Sequence, residues 1–202
     1  MLSGLVDIVA FIDPASGRKS AALKRNASRS ADLVVGRDDL GRIFVLHAWA
    51  GRIPTTTHTD RIFALNQQWH PRIIGIDASA MQSLYADALT REAKQKAERL
   101  PLQPIGMPTT VDKDSRIRAI LQPVIAMGRL FLLADQRDLH QELEAFPHGL
   151  TKDLVDALSQ AIALLKPVNP KRMEDADREA RLAYLRETNA PGYYIDAVAR
   201  GA

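Results

Sequence analysis

Residues 5–15, LVDIVAFIDPA, constrain the fold more than any other stretch. The run is almost purely apolar and dense in Val and Ile, which predicts a strand buried on both faces. It ends on Asp13, followed by Pro14 and a basic segment. A carboxylate at the end of a buried strand is costly unless something positive stands beside it. The next basic residue in the sequence is Arg18. Two readings are open at this point: Asp13 is a metal ligand, or it opens an Asp-Pro turn.

The chain has 202 residues, enough for one good core with an appendage. Apolar residues make up 46% and charged residues 25%, an ordinary globular balance rather than a disordered one. No apolar run approaches the length of a membrane helix, and no secretory leader is visible at the N-terminus. Cysteine is absent, which excludes disulfides, thiolate zinc sites and thiol catalysis and fits a reducing cytoplasm. The net charge of +3 matters less than its distribution. Residues 16–30, SGRKSAALKRNASRS, carry Arg18, Lys19, Lys24, Arg25 and Arg29 and no acid. That segment reads as a loop that meets a polyanion, through phosphates rather than bases. Gly17-Arg18-Lys19-Ser20 is not a nucleotide-binding loop, because the required glycines are replaced by Arg18 and Asp13.

Beyond the loop, 32–36 and 42–50 read as strands joined by a turn at 37–41, which makes an antiparallel meander with the first strand. Residues 55–70 have helical apolar spacing and stop at Pro71. RIIGID, 72–77, is a second short apolar run ending in an acid, and the helix before it makes it parallel to a neighbour. Further helices are expected at 80–99, 111–127 (kinked or shortened by Pro123), 137–145 and 151–166, with short strands at 102–106 and 130–133. Residues 171–188 are helix-prone and the last residues loop-like.

Acids therefore fall at telling places. Asp13 and Asp77 each end a strand; Asp153 and Asp156 open the last core helix, on one side of it. If the two strands are parallel neighbours and the helix crosses their edge, up to four carboxylates come together. Such a cluster needs compensation, and hard divalent cations with oxygen ligands, Mg²⁺ or Mn²⁺, supply it. Histidine offers no rival site. His47, His58, His70, His140 and His148 lack paired ligand spacing and read as core-edge, cap or surface residues, and no hydrolase triad or nucleophile elbow is present.

The segments FIDPA at 11–15, ADLVVGRDDLGRIFVL at 31–46, IIGIDASAMQSLYADAL at 73–89, KDSRIRAILQPVIAMGRL at 113–130 and FPHGLTKDLVDALSQAI at 146–162 resemble the C-terminal nuclease domain of phage terminase large subunits, within the ribonuclease-H-like and Holliday-resolvase-like superfamily. The aromatic-Pro-Gly lead into Asp-x-x-Asp-Ala-Leu is the most specific of them. Two departures stand out: Lys152-Asp153 where the family often has two adjacent acids, and Asp77 where it often has Glu. The resemblance implies an α/β, ribonuclease-H-like mixed sheet, three antiparallel strands followed by parallel strands, flanked by helices. It implies a nuclease domain over 1–168 and a charged helical tail over 169–202. It implies metal-ligand and catalytic roles for Asp13, Asp77, Asp153 and Asp156 around two Mg²⁺ or Mn²⁺ ions. Arg18, Lys19, Lys24, Arg25, Lys113 and Arg116 would hold the DNA backbone. The implied activity is cleavage of double-stranded DNA during genome packaging in the host cytoplasm. An ATPase domain, a small terminase subunit and a portal are the implied partners, and no membrane is. Since the chain has no Walker motif, an isolated nuclease half, from a fragment or a split gene, is expected. The alternatives are a Holliday-junction resolvase and a noncatalytic DNA-binding or motor-docking module.

Overall fold

A computed structural model describes residues 4–15, 29–77, 80–106, 110–168, 170–189 and 192–199. Its centre is β1 (Leu5–Asp13), whose alternate residues feed two cores. Val9 and Phe11 join one, Ala10 and Ile12 the other, and all four are at most 2% exposed. The expected strand buried on both faces is what forms. On one side β1 pairs antiparallel with β2 (Ser30–Asp38), which pairs antiparallel with β3 (Ile43–Gly51). Gly41 turns the β2–β3 connection at φ 79, a conformation that disfavours any side chain, and Asp38 Oδ1 accepts from the Leu40 and Arg42 amides there. On its other side β1 pairs parallel with β4 (Ile73–Asp77), reached through α1 (Thr55–Trp69).

After α2 (Ala80–Gln95) comes β5 (Leu102–Ile105), an edge strand that tolerates Pro104. The helix α3 (Lys113–Ala126) precedes the two-residue β6 (Leu130–Phe131), parallel to β3 at the far edge. The described residues thus form a six-stranded sheet in the order β5-β4-β1-β2-β3-β6. This is the expected mixed sheet of three antiparallel strands followed by parallel ones. Of the two outcomes expected for Pro123, early termination of α3 does not occur. Pro123 lies in the last turn, so it forfeits only the bond to Ala119, and both residues face water.

Helices α1 and α2 cover the Ala10/Ile12 face. On the Val9/Phe11 face lie α3, α4 (Arg137–Ala145) and α5 (Asp153–Ala163). The last of these crosses β1, β2 and β3 and is buried continuously from Leu154 to Ala161. Each large apolar side chain it buries contributes about 1.5–3 kcal/mol. Gly75 lets the end of α5 come down on β4: a Cβ there would lie 2.6 Å from Leu164 and 2.9 Å from Phe11. A second anchor is Asp7, which accepts from Arg72 Nε and NH2 at 2.8 and 3.0 Å and from the Lys166 amide at 2.8 Å. Burial alone would raise the Asp7 carboxyl, but these partners hold it below its ordinary range.

The chain continues into α6 (Pro170–Glu187) and α7 (Gly192–Ala199). The last of these replaces the loop expected from sequence. Its GYYIDAVA is a weak helix former by itself, and packing against α6 compensates. No described helix is long and apolar enough to cross a membrane.

Candidate functional site

Register brings the strand-end acids together. Ile12 is level with Ile76 in the parallel β1–β4 ladder, so the following residues, Asp13 and Asp77, leave the same edge of the sheet side by side. Both continue the face of Phe11 and Gly75, the face that α5 covers. The first turn of α5 carries Asp153 and Asp156 to that edge.

Asp13 feels the charge of the other three acids. Burial pushes the Asp13 carboxyl up to about 7; Asp156 adds most to the rise among its neighbours, Lys113 opposes it, and Asp77 and Asp153 add further. Two cations from α3 meet the cluster. Lys113 Nζ stands 2.9 Å from Asp156 Oδ2, and Arg116 NH2 donates to Asp156 Oδ1 at 2.9 Å. Burial works against the charge on Lys113, yet Asp156, Asp13 and Asp153 raise its pKa above the ordinary lysine value. Asp112 caps α3 by accepting from the Ser115 amide at 3.0 Å, and Lys152 Nζ reaches Asp114 at 2.6 Å, tying the starts of α3 and α5 together.

The remaining expected phosphate contacts divide. Arg18, Lys19, Lys24 and Arg25 lie outside the described residues. Arg29, read in the sequence as a member of that phosphate-facing loop, instead turns inward: Nε donates to Asp153 Oδ2 at 3.1 Å and NH2 pairs with Glu142.

Sequence reasoning missed Glu142. It is 5% exposed, and its Oε2 accepts from the Leu154 and Val155 amides at 2.8 and 3.2 Å. It thereby caps α5 from another helix, where Lys152 at the cap position supplies no side-chain bond. A signal was present: Glu142 follows Leu139 by three and precedes Leu143, so it falls on the apolar stripe of α4. A second buried polar group lies on the opposite face. Asp32, level with Ile12, meets His58 Nε2 at 2.6 Å, and His58 Nδ1 lies 3.2 Å from the Tyr85 hydroxyl. This links β2, α1 and α2 on the other side of the sheet from Asp13.

The donor set suits a hard cation. It consists of carboxylate oxygens with no histidine among them, and Asp13 carries a crowding of negative charge that a cation would relieve. Among the described residues no three His, Asp or Glu side chains already form a metal cage. Lys113, Arg116 and Arg29 hold two of the four carboxylates, Asp156 and Asp153, instead.

No protein-family model and no curated protein matches the sequence. Solved structures do match the fold. The large terminase nuclease from thermophilic phage G20c, with bound zinc, has a TM-score of 0.54 at 15% identity, over 80% of this chain and 87% of that one. The P22 large terminase nuclease domain has a TM-score of 0.51 at 11% identity, over 76% and 78% of the two chains. The mixed sheet flanked by helices thus has the ribonuclease-H-like fold seen in phage large-terminase nuclease domains.

Proposed function

We propose that this protein is a metal-dependent endonuclease that cleaves double-stranded DNA, as the nuclease part of a phage packaging terminase. What supports the reading is the placement of Asp13 and Asp77 side by side at one sheet edge, where burial and the charges of Asp156, Asp77 and Asp153 push the Asp13 carboxyl up to about 7. Asp13, Asp77 and the two α5 acids would hold Mg²⁺ or Mn²⁺, and such ions supply activation of water and stabilisation of the leaving oxygen at a phosphodiester. The protein's own groups do the rest. Asp13 is paired with Ala31 of β2 and directly follows Ile12, which is held in the ladders with both β2 and β4. Arg116, with 16% of its side chain exposed, stays on Asp156. Lys113 has 48% exposed and can turn from Asp156 to a DNA phosphate. Arg18, Lys19, Lys24 and Arg25 add sequence-independent phosphate contacts. An ATPase domain, a small terminase subunit and a portal would be its neighbours in a packaging motor.

The test is cleavage of supercoiled plasmid with Mg²⁺ or Mn²⁺. Wild type should nick and linearise the plasmid, and Asp77→Asn should abolish cutting while keeping the fold by circular dichroism. Cutting by Asp77→Asn at the wild-type rate overturns the assignment. Strong preference for cruciform over linear DNA would move the reading to a junction resolvase.

A further inference from the structure

Glu142 is a buried carboxylate in a place where a neutral side chain would serve as a cap. Two backbone amides at the start of α5 require only a carbonyl-like oxygen, and burying a charge is costly unless it is well paired. The charge therefore answers to Arg29. The Nε and NH2 donors of an arginine lie along one edge and typically grip a single carboxylate with two parallel bonds. Here that edge is divided. Nε goes to Asp153 Oδ2, and NH2 goes to Glu142 Oε1. Arg29 thus holds Asp153 by one oxygen, while Glu142 occupies the donor that would otherwise close on the second.

We propose that Glu142 is a positioning residue for Asp153: by taking one prong of Arg29, it stops the guanidinium from clamping the carboxylate and leaves Asp153 able to serve a cation. This rests on the nuclease reading above. The same residue caps α5 and so sets where the first turn begins, which puts both functions on one side chain. Sequence separation hides the arrangement, since Arg29 is 113 residues from Glu142 and 124 from Asp153.

The experiment compares Glu142→Gln with a double variant that combines Arg29→Gln and Glu142→Gln, measuring Mn²⁺ binding to the metal-free protein by calorimetry. The Glu142→Gln side chain retains an oxygen for the α5 amides, and thermal denaturation checks that the fold survives. Glu142→Gln frees Arg29 to grip Asp153 with both donors, so Mn²⁺ affinity should fall about 10-fold, the range for outer partners of metal ligands. In plasmid cleavage kcat should drop with KM for DNA unchanged. The double variant has no clamp and should recover most of the lost affinity. A purely structural cap predicts otherwise, since a second substitution beside a weakened cap cannot restore binding. Wild-type affinity in Glu142→Gln, or a double variant as weak as the single one, overturns the proposal while leaving the nuclease reading intact. Failure of wild type itself to bind Mn²⁺ overturns both.

Discussion

Replacing Asp13 with Asn should make the metal-free protein more stable, and by an amount that depends on pH. In the folded chain the Asp13 carboxyl is raised from the ordinary 3.8 to about 7, first by burial and then by Asp156, with Lys113 opposing and Asp77 and Asp153 adding. A raised carboxyl means that the folded state binds its proton more tightly than the unfolded one. Stability is then greatest below pH 3.8 and is lost as pH rises to about 7, above which the loss is complete. At pH 8 the full shift corresponds to about 4 kcal/mol, trimmed to roughly 2–4 kcal/mol by water at the partly open sheet edge. Asn has nearly the same shape and no charge to lose. For a chain of this length the gain should raise the melting temperature by roughly 5–15 °C in chelator at pH 8. At pH 5 less than half of it should remain. Thermal denaturation of both proteins at the two pH values, with EDTA present, measures this. A gain that is the same at both pH values, or a loss at pH 8, would falsify the crowded-carboxylate account of Asp13.

The opposite sign is expected at Asp156, on α5. Asp156→Asn leaves Lys113 and Arg116 without their shared carboxylate, so the metal-free protein should lose about 2 kcal/mol, less than for a fully buried pair because Lys113 is half exposed. Chemical denaturation reads this, and a stabilised variant would contradict the ion-pair geometry. In DNA binding, Lys24→Ala together with Arg25→Ala should weaken affinity for all sequences alike and make the salt slope shallower by up to ~2 units. An unchanged slope in a filter-binding titration would show that these cations never reach phosphate.

Much of the fold could be read from local sequence because β1 and β4 announce themselves. Each is a short Val/Ile-rich or Ile-rich run closed by an acid, and a buried strand must have parallel or antiparallel neighbours on both sides. The Asp-x-x-Asp spacing of α5 was equally plain, since helical periodicity places both acids on one side. What stayed hidden depends on contacts far apart in the chain. Arg29 sits in a run of cations, and nothing nearby shows that it turns back to α4 and α5. That Lys113 and Arg116 also pair with Asp156 was hidden because Asp156 lies 40 or more residues away in sequence. The helical α7 was hidden for a different reason: its propensity is poor, and only tertiary packing on α6 makes it a helix.

The hydrogen-bonded pairing of β1 with β4 acts as a ruler. Adjacent strands lie about 4.8 Å apart, a spacing set by peptide geometry and indifferent to the side chains they carry. Asp13 and Asp77 directly follow the last pair of that ladder, Ile12 and Ile76, so they leave the sheet from positions fixed by that interval. The acids of α5 have no such backbone tether to the strands. Their place is held by side chains: Glu142 at the helix start, Lys152 on Asp114, Leu164 lodged over Gly75 and Asp7 on the Lys166 amide. Half of the site is therefore rigid by construction and half is adjustable by mutation. Evolution could retune the placement of Asp153 and Asp156 by altering α4 and the supports of α5, while the two strands kept their measure unchanged.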